Sequence, residues 1–272
     1  MNKPKASLII SVYDDVASLK SVLDSLFFQT DKRFEVIISE DAQHETMKSF
    51  LESYHFEGQL FHVSQPDLGW QKNKALNKAS IFSHSDHLVY IDGDTVLHPR
   101  FMEFHIKNFN ENLILAGKRI KLDYESSVWL KEDSGRVLHF QNYLLHNYFA
   151  MRKRGAKFME EGIFIPPGSL FGFIPAMRKM SHLKGCNMSF SKKALYDING
   201  FDEDYIRPAI GEDIDLQWRF LGKGYKLYSL RNLAVQYHLH HKENWTNQDE
   251  NIQMMEFKKE QRLYYCKNGI KK

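Results

Sequence analysis

An α/β fold, with a mostly parallel central sheet flanked by helices, is predicted by three observations. Short, β-rich apolar runs alternate with helical text from residue 7 to residue 91, the pattern of strands joined by crossover helices. The runs are nearly continuous in apolar residues, as strands buried on both faces require. Polar clusters follow each run, and in such sheets ligands collect beyond the carboxyl ends of the strands.

Taken in order, SLIISVY (7 to 13) is the first strand, and Asp14 and Asp15 after it are suited to cap a helix. Leu19, Val22, Leu23 and Leu26 recur at i, i+3, i+4, i+7 and put one apolar stripe on that helix. FEVIISE (34 to 40) reads as a buried strand, 45 to 54 as a helix, and LFHVS (60 to 64) as a third strand. A helix from about Lys72 to Phe82, with Ala75, Leu76 and Ala79 inward, leads into the strand HLVYI (87 to 91). Regularity fails between 139 and 183, where GIFIPPGSLFGFIPAM is broken by prolines and glycines and cannot be a membrane helix. GCNMSFS (185 to 191) returns to strand text, GEDIDLQWRFL (211 to 221) is a helix opening on acids, NLAVQYHLHH (232 to 241) a strand running into histidines, and 247 to 265 a final helix. Leu216, Phe220 and Leu221 are expected to bury one face of the 211 to 221 helix.

With 272 residues, 43% hydrophobic and 14% aromatic, the chain can bury a full core. A net charge of +3 gives no polyanion-binding signature, so no nucleic-acid partner is expected. Cys186 and Cys266 stand far apart without a CxxC pattern, which supports neither a disulfide framework nor a cysteine zinc site and points to a reducing compartment. The run LIISV is too short for a signal-peptide core, and no stretch reaches the roughly 18 to 20 apolar residues that span a bilayer. A soluble or peripheral, cytoplasmic protein is expected.

Four constellations carry candidate chemistry. In LVYIDGDTVLHP, Asp92 and Asp94 at i, i+2 after a buried strand can face one point and hold Mg²⁺ or Mn²⁺ against a diphosphate, with Gly93 allowing close backbone approach; an ordinary acidic turn has the same composition. In Gly211-Glu212-Asp213-Ile214-Asp215, acids in a first helical turn complement the dipole, and one of them can serve as a general base. In YHLHH, His238 and His240 share a face of a strand and could complete a metal site. Asp41 at a strand exit can accept from a base N–H, and Lys72 near a helix start can meet a phosphate.

In order along the chain, SLIISVYDD, FEVIISEDA, SQPDLGWQKNKALNKA, IDGDTVLHP, GCNMSF, NGFDE, GED and YHLHH together resemble the family 2 inverting glycosyltransferases of the GT-A fold, and especially their galactosyltransferase-like subset. The resemblance implies a nucleotide-sugar-binding half over 1–120, a connecting or lid segment over 121–184, an acceptor-binding and catalytic half over 185–245 with a C-terminal helix at 246–272, all in one compact domain. It implies that Val12 and Tyr13 line the uridine pocket, Asp41 contacts the uracil, and Lys72 lies near the donor. Asp94 would bind Mn²⁺ or Mg²⁺ directly, with Asp92 reaching the metal or the ribose and His238, or alternatively His240, completing the shell. Asp213 would be the base, Glu212 would bind acceptor or donor sugar, and Asn187 and Met188 would lie on the acceptor side. The activity so implied is transfer of galactose, N-acetylgalactosamine or glucose from a UDP-sugar to a glycan or lipid-linked glycan in surface polysaccharide or lipopolysaccharide assembly.

The family's acid motif is often preceded by an aromatic residue and paired glycines, whereas Arg207-Pro208-Ala209-Ile210 stands here. Two other readings stay open. IDGDTVL also fits a phosphatase of the haloacid dehalogenase type, with Asp92 as nucleophile and Asp94 as acid/base, and a GT-A domain could bind carbohydrate without turning it over. From 151 to 184, Arg152, Lys153, Arg154, Lys157, Arg178, Lys179 and Lys184 are interleaved with Phe158, Phe164, Phe171 and Phe173. That composition suits either a peripheral membrane contact or a lid packed on the core.

Overall fold

The computed structural model describes residues 3–208, 211–242 and 247–272. Among the described residues, ten strands form two sheets. The larger sheet has the order β3-β2-β1-β4-β8-β6-β9, made of β1 (Ala6–Val12), β2 (Phe34–Glu40), β3 (Leu60–Val63), β4 (His87–Asp92), β6 (Leu113–Ala116), β8 (Met188–Ser191) and β9 (Lys226–Ser229). The smaller has the order β5-β10-β7, from β5 (Thr95–Leu97), β7 (Ile120–Lys121) and β10 (Gln236–His238).

Strands β1 to β4 pair in parallel, whereas β8 runs antiparallel between β4 and β6. The predicted parallel half is therefore present and is extended by a mixed half. Because β1 lies between β2 and β4, successive crossovers leave it on opposite sides, and its carboxyl end opens a crevice at the point where the strand order reverses.

The helix Val16–Leu26 follows from its sequence. Asp15 accepts from the Ser18 amide at 2.9 Å as its N-cap, and Leu19, Val22, Leu23 and Leu26 are all buried, each worth roughly 1.5–3 kcal/mol relative to exposure. Helix Asp213–Gly222 buries Leu216 and Phe220 as expected, but Leu221 is exposed, one position past the stripe that faces the sheet. The final helix is shorter than expected, Asp249–Glu260. The strand expected over 232 to 241 is confined to Gln236–His238.

The irregular stretch after 139 folds as short pieces, including helices Phe140–His146, Tyr148–Lys153 and Ile174–Met177. Phe140, Leu144, Met151, Met159 and Phe164 from these pieces join the main core, while Phe158, Phe171 and Phe173 are exposed. Part of the segment is thus a packed cover. Among the described residues no helix is long and apolar enough to cross a membrane, and both cysteines are free and buried.

Candidate functional site

A cleft of about 680 Å³ lies over the carboxyl ends of β1, β2 and β4. Val12 and Tyr13 leave β1 into it, Asp41 follows β2, and Asp92, Gly93 and Asp94 follow β4. The close fit of β4 against β1 depends on Gly93. Its amide donates to the Ser11 carbonyl at 2.8 Å, and a Cβ there would stand 2.6 Å from Val12 Cγ1.

Asp41 accepts from Gln65 Nε2 and from the Gln71 amide, both at 2.7 Å, and so fastens the 65 to 71 loop along the cleft. Burial raises its carboxyl above the usual range, against the pull of these bonds. Tyr13 is exposed, with its hydroxyl donating to Asp67 at 2.7 Å and its ring edge-on to His44.

Asp92 is a hub. Lys72 Nζ meets one of its oxygens at 2.8 Å and Arg119 Nη1 the other at 2.9 Å, while Lys72 also reaches Glu212 at 2.8 Å. Burial alone would raise the Asp92 carboxyl, but the two cations outweigh it and hold it low. Lys72 is held charged in the same way, with Asp92 and Glu212 overcoming its own burial. Both oxygens of Asp92, expected to reach the metal or the ribose, are engaged by these cations, and the group among the described residues that could hold a metal is Asp94 with His238 and His241.

Asp94 converges instead with two histidines. Its Oδ2 lies 3.3 Å from His238 Nε2 and 3.2 Å from His241 Nε2, and the two ring nitrogens are 3.3 Å apart. The three ligand atoms fall within 4.8 Å of one another. The backbone sets this meeting: β10 pairs antiparallel to β5 with His238 opposite Thr95, and the Leu239 amide donates to the Asp94 carbonyl at 2.9 Å. Hydrogen bonds from His238 and His241 outweigh burial and hold the Asp94 carboxyl far below its usual range. The bond to Asp94 raises the His241 imidazole.

His240 turns the other way. Its amide donates to Ser127 Oγ at 2.8 Å and its ring stands edge-on to Tyr124. Strand alternation pairs 238 with 240 only while a strand continues, and β10 ends at His238. His241 is therefore the residue that alternation misses.

A second cleft of about 560 Å³ adjoins the first, and Asp92 and Arg119 line both. Glu212, Asp213, Lys118, Lys184 and Cys186 complete much of its wall. Asp213 opens the helix Asp213–Gly222 and accepts from the Ile214 amide at 2.7 Å. Burial raises its carboxyl, opposed chiefly by Lys184. Burial also raises Glu212, despite the attraction of Lys72, and pushes the Cys186 thiol up to about 11. Gly185 lets its loop close over Glu212, since a Cβ there would lie 3.0 Å from Glu212 Oε1.

Asn187 and Met188 do not face this cleft. Asn187 is wholly buried, donating to the carbonyls of Lys118 and Ala234 and bonding His105, and Met188 lies in the core of the sheet. Their neighbours Lys184, Gly185 and Cys186 line the cleft instead. Of the unusual approach to the acid motif, Ala209 and Ile210 lie outside the described residues.

Arg119 carries no local mark in GKRIKL, and Asp215 and Arg219 form a fully buried pair at 2.6 Å. The i, i+4 spacing of opposite charges was a legible signal for that pair.

A family model described as Glycosyl transferase family 2 matches residues 7–178, and one described as the N-terminal domain of galactosyltransferase matches 175–242. A validoxylamine A glucosyltransferase of Streptomyces hygroscopicus subsp. jinggangensis (strain 5008) is 28% identical over 102 residues, 37% of this chain and 24% of the relative. A Pyrobaculum calidifontis mannosyltransferase solved with GDP-Man and Mn²⁺ aligns with a TM-score of 0.57 at 15% identity, covering 90% of this chain and 59% of that one. S. aureus TarS 1-349, solved with UDP-GlcNAc, aligns at 0.56 and 14%, covering 93% of this chain and 64% of that one. The chain thus spans 24% of the curated relative and under two thirds of these solved chains. The solved relatives share the GT-A fold.

Proposed function

Because the chain belongs to glycosyl transferase family 2, we propose that it is an inverting glycosyltransferase that moves a hexose from a UDP-sugar to a hydroxyl of a glycan or lipid-linked glycan. The observation that carries the reading is the wall between the two clefts. Asp94, His238 and His241 stand in the first, Asp213 in the second, and Asp92 with Arg119 lines both.

The first cleft suits the donor, with Val12 and Tyr13 at the base, Asp41 ordering the adjoining loop, and Lys72 and Arg119 supplying positive charge beside the diphosphate. The residues around Asp94 fit a divalent cation: Asp94 Oδ1 is buried without a partner, and one carboxylate with two imidazoles is a donor set that Mn²⁺ accepts more readily than the oxygen-preferring Mg²⁺. Bound there, the ion would neutralise charge that builds on the departing diphosphate. Asp213 takes the proton of the acceptor hydroxyl as it attacks the anomeric carbon, on the side away from the leaving group. A single in-line displacement inverts that carbon. Glu212, held by Lys72, orients sugar hydroxyls at the junction of the clefts.

A galactose, N-acetylgalactosamine or glucose donor accords with the galactosyltransferase-domain match over 175–242. Surface polysaccharide or lipopolysaccharide assembly at the inner face of the cell membrane is the setting we propose, with Leu170, Phe171, Phe173 and Met177 as the exposed apolar residues available for peripheral contact.

The phosphatase reading of IDGDTVL is disfavoured, because Lys72 and Arg119 occupy both oxygens that Asp92 would need free as a nucleophile. The test is UDP release from a panel of UDP-sugars with Mn²⁺ or Mg²⁺ and with EDTA, beside a generic phosphatase substrate. Metal-dependent UDP release from one sugar nucleotide is expected; phosphate release alone would overturn the assignment. Calorimetric Mn²⁺ titration separates the histidines. His241→Ala should weaken binding by roughly 100-fold or more, since even outer partners of metal ligands are worth roughly 10–100-fold. His240→Ala should leave it close to the parent value.

A further inference from the structure

A third cavity, of about 260 Å³, opens at the start of the helix Lys72–Phe82 and shares no lining residue with either cleft. The charged groups on its wall are answered. Lys272 pairs with Glu203, whose other oxygen accepts from Asn77 Nδ2 at 2.9 Å. Asp204 accepts from Asn268 Nδ2 at 2.6 Å and from Lys258 Nζ at 2.9 Å, and Lys74 Nζ donates to Gln71 Oε1 at 3.3 Å. Tyr205 turns its hydroxyl to the buried Asp215, at 3.1 Å.

One group on the wall is left over. Asn73 is 1% exposed and donates from Nδ2 to the carbonyls of Asp202 at 2.7 Å and Gly211 at 3.0 Å, while its Oδ1 is buried without a partner. Two carbonyl partners for Nδ2 fix which way the amide points. An unmet buried acceptor costs stability until a donor reaches it.

The cavity therefore suits a ligand without net charge that brings a hydrogen-bond donor. A sugar hydroxyl donates and accepts at once, so it can serve Asn73 Oδ1 while accepting from Lys74. Ile206, 63% exposed, offers an apolar contact to the C–H face of a ring. The volume falls below the roughly 300 Å³ at which sites for drug-sized ligands begin, which suits a sugar ring rather than a nucleotide sugar. Gly211 packs so tightly on Tyr205 that a Cβ there would stand 2.3 Å from Tyr205 Cβ, and Glu212 of the second cleft follows directly. Tyr205 and Gly211 thus join the cavity wall to the acid motif.

We propose that this cavity is a second carbohydrate site, which holds a neutral sugar residue of the acceptor chain remote from the hydroxyl that reacts. Its role toward the acceptor rests on the transferase reading above, whereas sugar capture at Asn73 does not. Two contacts on one glycan strengthen each other, because the second is made without a second loss of overall freedom.

The test is calorimetric titration of the Mn²⁺- and UDP-saturated chain with maltohexaose, cellohexaose and a β-1,4-galactan hexasaccharide, each beside its methyl monosaccharide. At least one hexasaccharide is expected to bind more tightly than its methyl monosaccharide by roughly tenfold or more. Lys74→Ala combined with Ile206→Ala should remove that advantage and leave UDP affinity where it was. Asn73→Ser should remove it as well; thermal unfolding reports whether that chain folds, and the double variant decides where it does not. Absence of any hexasaccharide advantage, or an advantage that survives these substitutions, overturns the proposal. Oligosaccharide binding that depends on Lys74 and Ile206, in a chain that releases UDP from no sugar nucleotide, supports the site and overturns the transferase reading alone. UDP release by a chain with no preference for the hexasaccharides does the reverse.

Discussion

In the Asp213→Asn chain, sugar transfer is expected to fall by about two to four orders of magnitude, the worth of a positioned general base, while UDP and Mn²⁺ still bind. The separation is expected because Asp213 lines the second cleft and not the first. The pH profile sharpens the test. Burial raises the Asp213 carboxyl, with Lys184 and backbone N–H bonds opposing. A base works only when deprotonated, so lowering the pH through that raised value stops transfer. The acid limb of kcat/KM is therefore expected above the ordinary aspartate range. Lys184→Gln removes the chief opposing charge and should move the limb higher still; in Asp213→Asn the residual rate should lack it. An unchanged rate, or a limb that persists in the Asn chain, would transfer the base role elsewhere, with Glu212 the neighbour to examine.

How far this site could be read before folding depends on the range of the forces that build it. Strands β1 to β4 and their helices were legible because each is specified locally: a continuous apolar run, a capping aspartate, an i, i+3, i+4 stripe. Asp94 and Asp213 were legible for the same reason, since a strand exit and a helix start are local features. The short strands β5 and β7 are held by pairing with β10 and have no local signal of their own, while β10 was expected but its end at His238 is set by that pairing rather than by its own text. His241 was missed for that reason, as its approach to Asp94 depends on where β10 ends. Asn187 was misplaced because its partners, His105 and the carbonyls of Lys118 and Ala234, come from three distant parts of the chain. Arg119 acquires meaning only when the turn after β6 brings it to Asp92.

Removing either charge of the buried pair on the helix that opens with Asp213 should be the most damaging single change to stability. Asp215 and Arg219 are fully buried, one turn apart on the helix that begins with Asp213, and the guanidinium approaches Oδ2 at 2.6 and 2.7 Å. Arg219 Nη1 also donates to the carbonyls of Ile198 at 2.9 Å and Gly200 at 2.8 Å, while Tyr205 and Trp218 donate to Asp215. The pair therefore ties the helix that opens with Asp213 to the turn at Asn199 and Gly200, both at positive φ. Arg219→Met strands a buried carboxylate, and loss of one member of a buried pair costs about 3–5 kcal/mol. Denaturant unfolding should report that loss. The double change Asp215→Leu with Arg219→Met should recover part of it, because no uncompensated charge remains. A loss below about 1 kcal/mol for Arg219→Met is what an exposed pair would give, and would mean that water reaches this helix. In the rescued double variant the fold stands but the ties to Ile198 and Gly200 are gone. Turnover there should remain depressed with KM for the donor little changed, because Asp213 has lost the anchor that aims it into the second cleft.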